Sequence, residues 1–352
     1  MTTKEPAPGY SLTEALLQSD GHSVLECSPL AQHYLPLLQP GQPLPPELAE
    51  LFEGAEAAGL FTCAGRSYQF SLHPGPEERW LLRFTPAPQS ALTDGQLGNA
   101  IRQMRNYLQD LIRLTDRTVH GEPGALDAAG INQALHRMRR EIENLDFLQW
   151  VASGSTWYFS PRPFDLGFLC QDLSWVVHDA LAGTQAKVTW LGGPPSLMVQ
   201  GDEALLRRAI LELVGNAALG MKGQPGELGL SLRHIGSHAV VTVTGGRADS
   251  QTEKTAMLNG SAGMRVPLPH QGGFLGLSVV RAIAALHQGA LLIQWLENDQ
   301  CRVSLSVPIG SVVPSPDLEL NTYLDRGDGV APWMLWMADA LPKEVYDWTQ
   351  GG

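Results

Sequence analysis

A glycine cluster at the start of an amphipathic segment has the residue types to bind phosphate. Gly272, Gly273 and Gly276 introduce a run, ending near Leu286, in which apolar residues recur at helical spacing. A glycine-rich turn at a helix N-terminus brings backbone N–H groups and the positive end of the helix dipole together, which favours phosphate. The alternative is that these glycines only make a tight turn and allow close packing. We expect Gly289 to end the helix in the left-handed conformation.

The order of elements around this helix points to a known fold. The other predicted elements are two helices and five strands: helices Phe164–Leu181 and Gly201–Leu219, and strands Lys187–Leu191, Leu228–Arg233, Val240–Val243, Ala290–Leu296 and Cys301–Val307. This succession resembles the ATP-binding domain of sensor histidine kinases, the GHKL or Bergerat fold, over about residues 90–310. Glu212–Ala217 (ELVGNA) matches that family's N box. Gly272–Val280 (GGFLGLSVV) matches its G2 box, except that Phe274 replaces a glycine.

The resemblance assigns roles to the N box. In the family the asparagine, here Asn216, holds Mg²⁺ between the nucleotide phosphates, and an acid at the position of Glu212 can polarise the attacking group. The two residues are one helical turn apart and share a face. A carboxylate and an amide oxygen suit a hard cation such as Mg²⁺. The alternative is that both residues serve only in capping and in hydrogen bonds between helices.

Two other parts of the family's nucleotide site depart from its pattern. The G1 box needs an aspartate that selects adenine, but the matching strand end has no carboxylate and offers the weaker hydroxyl of Thr244. Gly246 is retained there and stays a nucleotide-binding candidate with Gly272, Gly273 and Gly276. In the G2 box, the bulky Phe274 obstructs the close approach of a phosphate to the backbone. Our hypothesis is that this ring fills the cleft.

Two heptad segments precede this domain and predict a helical hairpin. Their apolar residues recur with 4-3-4-3 spacing: Leu97, Ile101, Met104, Leu108 and Leu111 in the first segment, and Ile131, Leu135, Met138, Ile142 and Leu145 in the second. Each helix has a narrow apolar seam that it cannot bury alone, so two hairpins from two chains would form a four-helix bundle. The resemblance implies the same homodimer. The alternative is packing of the hairpin within one chain against the N-terminal region.

The position of the phosphoacceptor histidine is occupied by Arg102. The segment from Arg102 to Leu108 (RQMRNYL) falls on the family pattern H-E-L-R-N-P-L in the first bundle helix. A guanidinium stays protonated and has no free lone pair with which to attack a γ-phosphate. Gln103 replaces the neighbouring acid. We therefore predict that no phosphorelay passes through this position.

Composition limits the classes of partner. The 352 residues carry a net charge of −12, which argues against nucleic acid and against anionic membranes. The four cysteines show no paired spacing, and no apolar run approaches the length of a membrane span, so we expect a cytoplasmic protein.

Four regions are expected along the chain. Residues 1–88 read as a PAS-like sensor module, or alternatively as a small packing domain, with a short helix at Leu12–Leu17. Residues 89–153 form the dimerisation hairpin and residues 154–310 the GHKL domain. Residues 311–352 are acidic and aromatic, and either pack on the chain's own core or dock a partner.

We interpret the chain as an α+β protein: a PAS-like α/β module, a two-helix hairpin and a two-layer GHKL domain with a mixed sheet. The expected function is that of a pseudo-histidine kinase, without catalytic residues, acting on a protein partner of a signalling pathway. The alternative is an ATP-binding GHKL kinase, with Mg²⁺, that phosphorylates a partner in trans.

Overall fold

A computed structural model of the chain describes residues 15–52, 57–63, 66–75, 79–86, 94–119, 127–153, 159–221, 224–247, 275–296, 300–310 and 331–347. Its strands are β1 (Ala15–Ser19), β2 (Val24–Cys27), β3 (Ala57–Cys63), β4 (Arg66–Pro74), β5 (Trp80–Pro86), β6 (Arg162–Asp165), β7 (Ala186–Gly192), β8 (Met198–Gly201), β9 (Gly226–Ile235), β10 (His238–Arg247), β11 (Ala290–Trp295) and β12 (Gln300–Pro308). Its α-helices are α1 (Pro29–Tyr34), α2 (Pro46–Ala49), α3 (Asp94–Val119), α4 (Ala128–Ala152), α5 (Leu166–Ala180), α6 (Glu203–Leu219), α7 (Leu275–Leu286) and α8 (Pro332–Trp336). Short 3₁₀ turns follow α2 at Glu50–Phe52 and α8 at Lys343–Tyr346.

Among the described residues, ten strands form one sheet in the order β2-β1-β5-β4-β3-β11-β12-β10-β9-β7. The β7–β9 pairing is parallel and the other pairings are antiparallel, so the sheet is mixed. The fold is therefore α+β, as predicted. The predicted helices and strands of the GHKL region are all present, with ends that shift by a few residues.

The C-terminal half of the sheet carries helices α5, α6 and α7 on one face. Alternate residues of β9, β10 and β12 point to this face because side chains alternate along a strand. They include Leu230, Val241 and Leu305, which are buried in the same core as the helices. Asp202 caps α6, as predicted, by accepting a hydrogen bond from the backbone N–H of Leu205. The nucleotide-site candidates of α6 and α7 thus lie on two neighbouring helices of one layer.

The N-terminal half of the sheet buries the opposite face. Its core contains Leu17, Phe61, Tyr68 and Phe84 beneath α1 and α2, and the partly buried Leu292 of β11 packs against it. The two halves are joined by the antiparallel pairing of β3 with β11 over four residue pairs. One continuous sheet therefore changes the face that it buries at this junction.

The helices α3 and α4 pack against each other and form the predicted hairpin. None of the ten predicted seam residues is fully buried in the single chain, and Leu97, Ile101, Leu108, Leu135 and Ile142 are each more than two-fifths exposed. The buried side of α4 is instead largely polar, with Gln133, Arg140, Glu141 and Asn144 facing the rest of the chain. The hairpin thus packs on its own chain through these polar residues and, near the end of α4, through Phe147, Leu148 and Trp150, and it leaves its apolar seam open.

Two local predictions are wrong. Ala15, Leu16 and Leu17, expected in a short helix, lie in β1, because the alternation of buried and partly buried residues in this segment suits a strand that pairs with β2 and β5. Gly289 does not adopt the left-handed conformation, which is taken by Gln288 at φ 55°. Gly289 is needed for close approach, since a Cβ there would collide with the carbonyl oxygen of Ser306 on β12.

We predict that Gly289→Ala destabilises the fold by about 2 kcal/mol, because the added methyl group meets backbone that cannot move aside. Chemical denaturation of both proteins measures this difference. The matched control is Gly98→Ala in α3, where nothing lies within 4 Å of the added Cβ and where alanine is the better helix former. A Gly289→Ala protein as stable as the wild type would contradict the proposed contact.

Candidate functional site

The N-box carboxylate is held in a buried ion pair by the hairpin. Arg140 of α4 donates from Nη2 to Oε2 of Glu212 at 2.7 Å and from Nε to Oε1 at 3.2 Å. The Glu212 side chain is fully buried and that of Arg140 is 3% exposed. This forked geometry engages both carboxylate oxygens, as planar guanidinium groups favour. The carboxylate of Glu212, to which the resemblance gives the role of polarising a reactant, is therefore bonded to a neighbouring helix of the same chain.

This ion pair lies over the first turn of α7. A Cβ added at Gly276 would stand 2.5 Å from Oε2 of Glu212 and 3.4 Å from Nη2 of Arg140. The glycine is thus required here because a carboxylate and a guanidinium occupy the space above it. The positive end of the α7 dipole already faces a protein anion at the turn where the sequence predicts a phosphate.

The C-terminal segment completes the charge cluster. Asp339, just after α8, forms an ion pair with Nη1 of Arg140 and accepts a hydrogen bond from the hydroxyl of Tyr107 on α3 at 2.9 Å. Arg137 lies 3.2 Å from the same carboxylate. Tyr107 in turn accepts from the amide of Gln103 at 2.7 Å. We call Tyr107, Arg137, Arg140, Glu212 and Asp339 the Arg140 cluster; it ties α3, α4, α6 and the C-terminal segment together.

Further contacts fix this segment on α4 and α6. Gln133 of α4 donates to the carbonyl oxygens of Ala338 and Leu341, and Trp336 lies over the guanidinium of Arg208 at 3.9 Å from its ring centroid. The packing alternative predicted for the C-terminal tail is therefore correct for residues 331–347. The rest of the tail lies outside the described residues.

The ionisable groups of the Arg140 cluster shift one another's pKa values. Burial alone lowers the pKa of Arg140, but the carboxylates of Glu212 and Asp339 outweigh it and raise that pKa well above its usual value. The pKa of Tyr107 is also raised, by burial and then by the negative charge of Asp339, so its hydroxyl stays a donor. By contrast, burial lowers the pKa of Arg208 to about 10.

Glu141 is a buried carboxyl group beside the cluster, and no described residue forms a hydrogen bond with it. Its side chain is fully buried. Burial raises its pKa to about 7; Arg140 opposes the shift, while Asp339 and Glu212 add to it. Below that pH the neutral form dominates, as expected for a carboxyl group without partners.

The other candidates are distributed around this arrangement. Asn216 lies one turn beyond Glu212 on α6, and its side-chain amide makes no hydrogen bond to a described residue. Gly246 has φ +71° and packs on the end of α6, where an added Cβ would stand 3.0 Å from the carbonyl oxygen of Ala217. Arg102 is exposed on α3.

Three further residues of the G2 box, Gly272, Gly273 and Phe274, lie outside the described residues. The hypothesis that the ring of Phe274 fills the cleft therefore stays a prediction.

Of the two N-box residues, Glu212 does not fit a direct role at a Mg²⁺–nucleotide site, whereas the side chain of Asn216 makes no hydrogen bond to a described residue. Mg²⁺ needs free oxygen ligands, but both oxygens of Glu212 are bonded to Arg140. No group of three or more His, Cys, Asp or Glu side chains suited to a metal occurs within the described ranges. We therefore derive no step through a metal ion or a nucleotide.

Sequence reasoning missed the ion pair of Arg140 with Glu212 and the second carboxylate, Asp339, that pairs with Arg140. Arg140 and Asp339 lie 72 and 127 residues from Glu212 and belong to no family motif. One signal was present: Gln133, Arg137, Arg140 and Asn144 recur at helical spacing on α4, which predicts one continuous face. Because a polar helix face is usually exposed to solvent, the polarity of these four residues did not predict that the face is buried.

Comparisons with known proteins find similar chains among solved structures. No family model and no curated protein matches the chain. Among solved structures, the chain is similar to the Acinetobacter baumannii histidine kinase AdeS, with 16% identity, a TM-score of 0.44, and coverage of 61% of this chain and 97% of that one. It is also similar to the histidine kinase ThkA, solved in complex with the response regulator protein TrrA, with 15% identity, a TM-score of 0.39, and coverage of 85% and 97%.

A third similar structure is the ATP binding domain of PrrB from Mycobacterium tuberculosis, with 22% identity, a TM-score of 0.34, and coverage of 43% and 98%. At these identities the likeness concerns the fold alone. The chain has an α+β fold with a mixed sheet, as predicted. None of the described helices has the length and apolar character needed to cross a membrane.

We predict that Arg140→Met destabilises the protein by about 3–5 kcal/mol, because it leaves the buried Glu212 carboxylate without a cation and removes one of the two arginines that pair with Asp339. Chemical denaturation measures the loss. The matched control is Arg139→Met on the same helix, whose side chain is 44% exposed and pairs with Glu143 at 3.8 Å. This control should change stability by less than about 1 kcal/mol. Similar losses in the two variants would refute the structural role of the buried pair.

We predict that Glu141→Gln becomes more stable relative to wild type as the pH rises. The carboxyl group ionises near its ordinary pKa of 4.5 in the unfolded chain and near 7 in the folded one, so the folded state binds more protons between these values and the wild type loses stability as pH increases through them. The difference in unfolding free energy between the two proteins should grow by about 1–3 kcal/mol from pH 5 to pH 8. A difference that does not change with pH would show that Glu141 ionises normally.

Proposed function

We propose that this chain is a histidine-kinase-like signalling protein that acts through protein–protein contacts and does not transfer phosphate. The observation that carries the proposal is the Arg140–Glu212 ion pair over Gly276. It binds the N-box carboxylate to the hairpin and places a protein anion at the turn expected to receive phosphate. Arg102 at the phosphoacceptor position and the missing G1 carboxylate support the same conclusion.

The proposed architecture is that of a sensor protein acting as a scaffold. The antiparallel sheet of β1 to β5, with α1 and α2 between β2 and β3, supports a PAS-like module for residues 1–88. The hairpin of residues 89–153 and the ATPase-type domain of residues 154–310 would present surfaces to a protein partner of a signalling pathway. We propose a cytoplasmic location for this activity.

One observation favours the second candidate function, a Mg²⁺–ATP-binding kinase that acts on a partner in trans. The amide of Asn216 has no hydrogen-bond partner among the described residues, so it is available to bind a ligand. If the pair between Arg140 and Glu212 opened, the carboxylate and this amide would be adjacent on one face of α6. ATP and Mg²⁺ are the cofactors of this alternative.

We predict that ATP does not bind with micromolar affinity, with or without Mg²⁺, in isothermal titration calorimetry of the wild-type protein. The physical reason is that Glu212 is already paired and no carboxylate selects adenine. Asn216→Ala serves as the comparison. Micromolar, Mg²⁺-dependent binding that disappears in Asn216→Ala would reject the scaffold proposal in favour of the second candidate.

We also propose a homodimer formed by the apolar seam of α3 and α4, and predict that Leu108→Glu dissociates it. A charge placed in a closely packed four-helix interface loses its hydration without gaining a partner. Sedimentation velocity should show the wild type as a dimer and the variant as a monomer. Arg105→Glu, an exposed residue on α3 outside the seam, should remain a dimer. A monomeric wild-type protein, or a dimeric Leu108→Glu protein, would contradict the interface.

A further inference from the structure

The face of the sheet opposite α5, α6 and α7 contains a groove of about 230 Å³. It crosses β9, β10, β12 and β11, and side chains that alternate with the core residues line it. Because the N-terminal half of the sheet buries this same face beneath α1 and α2, Leu51 forms a wall at one end of the groove. Leu191 of β7, which is 62% exposed, lies at the other end.

Hydroxyl groups form the floor of the groove. Thr242 and Ser304 face each other across β10 and β12 with their side-chain oxygens 3.0 Å apart. Ser306 accepts a hydrogen bond from the backbone N–H of Ala290. Polar atoms between apolar walls suit a ligand that has both apolar and polar groups.

Two arginines give the groove a positive charge. Arg233 of β9 and Arg302 of β12 both line it, and neither forms an ion pair or hydrogen bond with another described residue. No carboxylate is among the described residues that line the groove. Glu227 shares the face of Arg233 farther along β9, but it is in register with Lys187 of β7. In a chain with a net charge of −12, this groove presents positive charge that no described residue pairs with.

The spacing of the arginines indicates the size of the ligand. Arg233 on β9 pairs with Val240 on β10, and Val240 pairs with Ser306 on β12. Arg302 lies four residues before Ser306 on the same strand, so the two arginines are separated by two strand spacings and four residues along the strand. With about 4.8 Å between strands and about 3.4 Å per residue, the two Cα atoms are about 17 Å apart. An extended peptide covers this length in about five residues, whereas a small carboxylate does not.

We propose that this groove is the docking site for an acidic peptide segment of a partner protein, in which carboxylates about five residues apart meet Arg233 and Arg302 and flanking apolar side chains contact Leu51 and Leu191 at the two ends. The proposal does not depend on nucleotide binding, since Glu212 and Asn216 lie on a helix that covers the other face of the sheet. Charge complementarity of this kind sets specificity and association rate.

The test uses the full-length protein and a phage library of random dodecapeptides. Peptides are selected on the wild type and then synthesised, and their affinity is measured by fluorescence anisotropy. The groove variant is Arg233→Glu/Arg302→Glu. The matched control is Arg105→Glu/Arg162→Glu, which makes the same change in charge at two exposed arginines outside the lining of the groove. Thermal unfolding checks that both variants are folded.

We expect acidic peptides to be enriched and to bind the control like the wild type. We expect the groove variant to bind them at least about tenfold more weakly, because two attractive contacts become repulsive. Failure to enrich acidic peptides, or equal binding to the groove variant, overturns the proposal. Displacement of the peptide by millimolar inorganic phosphate at constant ionic strength would instead identify a small-anion site and also overturn it.

Discussion

The assembly of this protein depends on one buried cation and the two carboxylates that neutralise it. Removing Arg140 and Glu212 from water costs several kcal/mol for each ion, and their contact offsets that cost only when the geometry is good and the remaining donors are bonded. Asp339 takes the remaining side of the guanidinium. The hairpin, the N-box helix and the C-terminal segment are therefore joined by one buried guanidinium, and Arg137 and Tyr107 add further contacts to Asp339.

The fold of the C-terminal half of the sheet and its helices was predictable because its local signals agree with its tertiary structure. Strands β9, β10 and β12 alternate in the sequence as they do in the sheet, and Asp202 caps α6 as its type and position predict. The N-terminal segment shows where this agreement ends. The residue types around Leu16 and Leu17 are compatible with a helix as well as with a strand, and the pairing of β1 with β2 and β5 selects the strand.

The site was predictable only as far as a family motif reached. The N box located Glu212 correctly on α6, but the effect of that residue depends on Arg140 and Asp339, which become its neighbours through long-range packing. The heptad pattern of the hairpin predicted an interface on the apolar side of α4. The polar side is buried against the rest of the chain, and burial of a polar face depends on complementary partners that periodicity does not encode.

The ladder between β3 and β11 determines how movement of the N-terminal region would reach the rest of the molecule. Four residue pairs connect these strands, so the N-terminal region cannot rotate as a separate body without breaking backbone hydrogen bonds. Deformation at one end of such a continuous ribbon is carried across it as a change in twist. A displacement of the N-terminal strands relative to β11 therefore changes the twist of one hydrogen-bonded sheet.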